Sequence, residues 1–167
     1  MSVAPELVPA SLLDLLLEQR FDFFTGVPDS TLTSVLNELE ARSDLRYVPA
    51  VSENVAVGLA TGAWLGGARP ALLMQNTGLA LAAHPLATLT SICRIPLLLV
   101  VGWRGHDADA PEHDFIGPAT QPLLEALRIP FFVPDAETLP NDLADAVATM
   151  DSSRGVAALV IRPGVLA

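Results

Sequence analysis

The chain has no lysine: its nine basic residues are all arginine, at positions 20, 42, 46, 69, 94, 104, 128, 154 and 162. Without a side-chain amine there is no Schiff base to a keto substrate or to pyridoxal phosphate, no Ser/Lys catalytic pair and no P-loop lysine on a nucleotide. Cysteine is almost as scarce. The single Cys93 excludes an internal disulfide and an all-cysteine metal cluster, and fits a reducing compartment. It ends an apolar helical pattern, where a packing thiol is expected. Positive charge is also short, with 19 acids against nine arginines and a net charge of -10. Nucleic-acid affinity rests largely on clustered basic residues, so nucleic acid is excluded as a ligand. No uninterrupted apolar run reaches the roughly 18 residues needed to cross a bilayer, and the first twenty residues lack the basic start of a secretory leader. No membrane contact and a cytoplasmic location are expected.

What is present is apolar: 51% of the 167 residues are hydrophobic and 17% charged, with a mean hydropathy of +0.45. This excludes a disordered chain and is enough for one α/β domain over residues 1–167 with a sizeable core. It also suggests that part of the surface is covered by a partner protein.

Helical and strand-like segments alternate along the chain. Helices are expected at Pro5–Arg20, Thr31–Ala41, Glu53–Gly66, Leu79–Cys93, Gln121–Leu127 and Leu139–Met150. Strands are expected at Phe21–Gly26, Arg46–Ala50, Arg69–Gln75, Ile95–Trp103, Phe131–Val133 and Val156–Ile161, with Asp29 or Ser30 capping the second helix. Such alternation predicts a doubly wound, mainly parallel six-stranded sheet with helices on both faces. The run Pro96-Leu97-Leu98-Leu99-Val100-Val101 reads as a central strand buried on both sides. Ligands in these sheets sit at the carboxyl ends of the strands. Four polar segments fall there: Gly26–Ser30, Ser52–Asn54, Gln75–Gly78 and Trp103–Asp114.

Glu53 opens a helix among Val51, Val55, Ala56 and Val57. Burial disfavours its charge while a helix N-terminus favours it, an opposition that suits proton exchange. The plainer alternative is a first-turn acid that only favours the helix dipole. Gly58, Gly62 and Gly66 leave one face of that helix bare, open to another backbone within the domain or across an interface. Asn76 and Thr77 can cap a turn. The loop Trp103-Arg104-Gly105-His106 with Glu112-His113-Asp114 offers an anion pocket with imidazole proton donors, or a solvated loop. No metal site is assigned to it, and His84 is expected to pack in the core.

Taken together, Gly26-Val27-Pro28-Asp29, Glu53-Asn54 with Ala56-Val57-Gly58, Met74-Gln75-Asn76-Thr77-Gly78, Gly102-Trp103-Arg104-Gly105, Pro111-Glu112-His113 and Leu123–Pro130 occur in a distinctive order. Over residues 20–135 the chain resembles the pyrimidine-binding half, the α subunit, of thiamine-diphosphate-dependent phosphonopyruvate and sulfopyruvate decarboxylases. The resemblance implies that Glu53 is the glutamate bonded to N1′ of the cofactor's aminopyrimidine, supporting loss of the thiazolium C2 proton. It further implies Gly26, Pro28, Gln75, Asn76 and Thr77 at the cofactor, Asp29, Arg104 and His113 at the substrate, and His113 as a second catalytic group. Thr77 stands where the family often has Ser, and Glu112 where it often has Gln. The Gly-Asp-Gly and later Asn-Asn that hold the diphosphate and its Mg²⁺ are missing from the sequence. The implied partner is therefore a diphosphate-binding β subunit in an α₂β₂ assembly or a multiple of it, acting on a small anionic 2-keto acid. The alternatives are a subunit of another split thiamine-diphosphate enzyme, such as a carboligating synthase, and a non-catalytic domain of the same fold.

Overall fold

A computed structural model describes residues 10–166. The Pro5–Pro9 part of the first expected helix lies outside them. Six strands, β1 (Phe23–Gly26), β2 (Arg46–Pro49), β3 (Pro70–Gln75), β4 (Leu97–Gly102), β5 (Phe131–Phe132) and β6 (Val156–Ile161), form one sheet in the order β2-β1-β3-β4-β6-β5. Every pairing is parallel. The helices are α1 (Leu12–Glu18), α2 (Thr33–Ala41), α3 (Glu53–Leu65), α4 (Gly78–Pro85), α5 (Ser91–Cys93), α6 (Ile116–Ala126) and α7 (Leu139–Ser153).

Side chains alternate across the strands, which divides the core into two layers. Phe24, Leu73, Leu98, Val100 and Leu159 pack on one face against α1, α2 and α7. Leu72, Met74, Leu99, Val101 and Val160 pack on the other against α3, α4 and α6. Strand β4 is buried along its whole length, as a strand covered by helices on both sides must be. Truncating a side chain there, as in Leu99→Ala, is expected to cost about 2–5 kcal/mol.

Local chemistry sets the element ends. Ser11 caps α1 by accepting from the Asp14 N–H while Asp14 returns the bond, a reciprocal capping box. Asp29 caps a 3₁₀ turn at Ser30–Leu32 that leads into α2. Two expectations shift. The helix predicted over 79–93 breaks after Pro85 into a π turn, Leu86–Thr90, and then α5. The helix predicted from Gln121 begins at Ile116. Pro118 falls in its first turn, where a missing N–H removes no helical bond.

Chain order reverses between β1 and β3, since β1 has β2 on one side and β3 on the other. A crevice at the carboxyl ends of β1 and β3 is where a ligand is expected in such a sheet.

Candidate active site

Strand β1 ends at Gly26, where an added Cβ would overlap the Leu73 carbonyl. Only glycine lets β1 run this close to β3. Pro28 after it is exposed. Asp29 then turns back: its Oδ2 accepts from the Thr31 N–H at 3.0 Å, and its carboxyl lies on the Cα of Gly102 at the end of β4. Asp29 is buried, and Oδ1 has no hydrogen-bond partner among the described residues. Burial raises its pKa above the usual carboxylate value, opposed by the Thr31 hydrogen bonds and the Arg104 charge.

Glu53 opens α3 and is half-buried. Its side chain lies against Gly78, the first residue of α4, where a Cβ would stand 2.5 Å from Glu53 Oε1. Packing of α3 on α4 brings the two together. Among the described residues, the Glu53 carboxyl makes no hydrogen bond or ion pair, whereas its neighbour Ser52 is engaged with Asn54 at 2.5 Å.

Residues after β3 divide by task. The Gln75 side-chain nitrogen donates to Thr77 Oγ1 at 2.8 Å and lies 3.4 Å from His113 Nε2. Thr77 itself is exposed. Asn76 is fully buried and grips the next loop: its Nδ2 donates to the Arg104 carbonyl and to Thr120 Oγ1, both at 2.8 Å, and its Oδ1 accepts from the Arg104 N–H at 3.1 Å. Its side chain therefore braces the Arg104 loop instead of facing a ligand.

That loop is closed on itself. The Arg104 guanidinium meets Asp109 through two bonds of 2.7 and 2.5 Å and donates to Ser30 Oγ at 2.9 Å. Asp109 also accepts from the backbone N–H of Gly105 and Ala110, at 2.8 Å each. These donors hold its carboxyl far below the usual carboxylate range, and the pairing raises the pKa of Arg104 in turn. Arg104, expected as a free anion-binding charge, thus has its charge balanced within the chain. Gly105, at φ 69°, and Gly117 let the loop fold back tightly. A Cβ on Gly105 would overlap the His113 carbonyl, and one on Gly117 the Gly105 carbonyl. The fold-back buries His113 with Nδ1 3.3 Å from Asp109 Oδ2, and Trp103 Nε1 pins it by donating to the Gly117 carbonyl at 2.8 Å.

His106 stands apart, with its ring 4.5 Å from that of Trp103 and Nδ1 3.0 Å from Asp107. Cys93 and His84, both expected to pack inside, are exposed. A cavity of about 360 Å³ lies beside the loop, lined in part by Ser30, Arg104, His106 and Asp109 but by neither Glu53 nor Gln75. Among the described residues, no three His, Cys, Asp or Glu side chains gather so as to hold a metal ion, and no helix is long and apolar enough to cross a membrane.

Residues 8–127 match the family described as thiamine pyrophosphate enzyme, N-terminal TPP binding domain. The chain belongs to the thiamine pyrophosphate enzymes. It is 37% identical over 145 residues to sulfopyruvate decarboxylase subunit alpha of Methanococcus maripaludis, covering 81% of this chain and 84% of that one. Over 144 residues it is 34% identical to the subunit alpha of Methanothermobacter thermautotrophicus, covering 83% and 86%. It is also 37% identical over 102 residues to phosphonopyruvate decarboxylase of Streptomyces viridochromogenes, a match spanning 60% of this chain and 26% of that protein. The Glu53 carboxyl on Gly78 has no competing donor among the described residues, which leaves it able to bond a ring nitrogen of the thiamine pyrophosphate cofactor.

Sequence reasoning missed Asp109, which organises the loop, and Gly78 and Gly102, which seat the two carboxyls. Gly78 had a signal, because it follows the amides of Gln75 and Asn76 at a strand-to-helix turn. Asp109 had none, being one of three aspartates in a polar loop.

Proposed function

We propose that this chain is the α subunit of a split thiamine-diphosphate-dependent decarboxylase. In this reading it converts 3-phosphonopyruvate or 3-sulfopyruvate to the corresponding aldehyde and CO₂. A diphosphate-binding β subunit completes the enzyme and holds the Mg²⁺. The observation that carries the reading is the free Glu53 carboxyl, seated on Gly78 at the edge of the crevice. The relatives of which this chain spans most are named subunit alpha of sulfopyruvate decarboxylase, which supports both the substrate class and a subunit role.

When bound, the cofactor supplies a nucleophilic thiazolium carbon and an acceptor for the electrons left by departing CO₂. The chain's own residues do the positioning and the proton work. Glu53 shares a proton with N1′ of the aminopyrimidine, which it can do because no cation among the described residues competes for it. Gln75 and His113, 3.4 Å apart, present a paired polar edge to the keto acid. In this reading His113, buried beside Asp109, delivers a proton to the product carbon. Arg104, tied to Asp109 and Ser30, supports the loop that holds His113.

The exposed apolar surface supports a partner. Val55, Gly58, Gly62 and Leu65 form a stripe on α3 at helical spacing, with Gly58 and Gly62 open to solvent. Leu81, Ile92 (75% exposed) and Phe115 (84%) are further exposed apolar side chains. An α₂β₂ core would cover this face.

The test is reconstitution. The purified chain with thiamine diphosphate and Mg²⁺ is expected to bind cofactor weakly and release no CO₂ from either keto acid. Adding a polypeptide with Gly-Asp-Gly and Asn-Asn should create both properties. Micromolar cofactor binding with decarboxylation by this chain alone would overturn the split reading, and a carboligated product in place of the aldehyde would overturn the reaction.

A further inference from the structure

Four helices of this chain end in the same way, and each end places an arginine where glycine is the usual residue. Arg20, Arg94, Arg128 and Arg154 have φ of 66°, 52°, 56° and 50°. Each is followed by a residue whose N–H reaches back five positions: Phe21 to Leu16 at 3.1 Å, Ile95 to Thr90 at 3.0 Å, Ile129 to Leu124 at 2.9 Å and Gly155 to Met150 at 3.2 Å. This is the Schellman closure, whose left-handed residue is most cheaply a glycine. An arginine there gains a little from the helix C-terminus, and that gain is available equally at all four ends.

Three of the four share a further property that Arg20 lacks. Arg94, Arg154 and Arg128 lead into β4, β6 and β5, which are adjacent in the sheet. They therefore stand side by side at the amino edge, opposite the residues of the candidate active site. All three line one cavity of about 560 Å³, within the range of metabolite sites. No carboxylate lines it. Ser91 and Ser153 add hydroxyls and Leu127 an apolar wall. Among the described residues none of the three makes a salt bridge, whereas Arg42, Arg46, Arg69 and Arg104 each have an acidic partner. In a chain of net charge -10, three unpaired guanidinium groups around one cavity without an acid are a concentrated positive site.

We infer that this cavity binds a small molecule carrying two or more phosphate-type charges on a compact, partly apolar body. The site is independent of the decarboxylase reading, since none of its residues belongs to the carboxyl edge.

The left-handed geometry makes the test clean, because Arg→Gly at these positions removes the charge while relaxing the backbone. Calorimetry of the full chain with inorganic pyrophosphate and with ATP, adenosine serving as the uncharged control, should show saturable binding of the two anions only. Arg94→Gly, Arg128→Gly and Arg154→Gly should each weaken it about tenfold, and the triple variant should abolish it with Tm unchanged or raised. Arg20→Gly should leave it intact. The inference fails if the wild-type chain takes up neither anion at millimolar concentration, or if the triple variant binds as well as the wild type. It also fails if assembly with the partner subunit removes the binding, because the arginines would then serve a protein interface.

Discussion

Glu53 and Asp29 are both carboxyls lying on a glycine at the carboxyl edge of the sheet, Glu53 on Gly78 and Asp29 on Gly102, yet the chain treats them differently. Asp29 is buried, caps a turn and has one oxygen committed to Thr31. Glu53 is half-buried and commits neither oxygen to any described residue. The same glycine seat thus serves the fold in one case and leaves a group free for a ligand in the other. The sharpest way to break this comparison is Glu53→Gln on the assembled enzyme. An amide cannot exchange a proton with N1′, so turnover should fall about 10²-fold or more, while Tm stays near that of the wild type because no internal bond is lost. Turnover within a few-fold of wild type would remove Glu53 from the proton path.

The seats themselves give the next largest effects, and in different observables. In Gly78→Ala the new methyl overlaps the Glu53 side chain from Cγ outward, and that side chain must swing away. The expected outcome is a roughly tenfold loss of kcat from misplacement of the carboxyl, with little change in Tm. In Gly102→Ala the methyl overlaps a buried carboxyl that is already hydrogen-bonded, so the variant should lose about 1–3 kcal/mol of stability as an overpacked site does. Thermal melts and steady-state rates on the same two proteins separate these outcomes. If Gly78→Ala unfolds the chain and Gly102→Ala only slows it, the division of roles is reversed.

How much of this was legible beforehand follows from the physics of each segment. The six strands and the parallel, two-layered sheet were readable because short apolar runs bounded by turn residues leave strong local traces, Leu97–Val101 above all. Glu53 was readable as an acid at a helix start. The start of α6 was not, because Pro118 and Pro122 count against a helix locally although one falls in the first turn. The exposure of His84 and Cys93 was not either. The helical stretch from Leu79 is apolar on both faces, and only tertiary placement shows that Leu81 and Ile92 face outward. The largest gap was the Arg104 loop. Its charges look free in sequence, and only the fold-back at Gly105 and Gly117 shows that Asp109 has claimed the guanidinium.

That claim changes what Arg104→Ala should do. A free anion-binding arginine would raise KM for the phosphonate or sulfonate substrate and spare unsubstituted pyruvate. An arginine tied to Asp109 and Ser30 supports the loop that holds His113, so its loss should lower kcat/KM several-fold for both substrates. Asp109→Asn should reproduce most of the effect without touching a substrate-facing charge. Selective loss on the anionic substrate in Arg104→Ala, together with near-normal kinetics in Asp109→Asn, would restore Arg104 as an independent anion ligand.

The smallest effect concerns Asp29 and runs against the usual behaviour of an acid. Its pKa is raised from the ordinary 3.8, first by burial, so the folded state holds this proton more tightly than the unfolded chain does. The stability it contributes is fully present below the unfolded value and is lost as pH rises through the higher folded one. At neutral pH the ionised carboxyl is therefore a burden, with Oδ1 buried and unpartnered. Asp29→Asn keeps an oxygen to accept from Thr31 and removes the charge, so Tm at pH 7 should rise by about 2 °C. The gain should vanish as pH falls through the raised folded value to the ordinary 3.8, below which both states hold the proton. Thermal melts of the two chains across this range check both the sign and the window. A lower Tm for the variant at pH 7 would mean that the Asp29 charge is favourable where it stands, served by Arg104 more than it is penalised by burial.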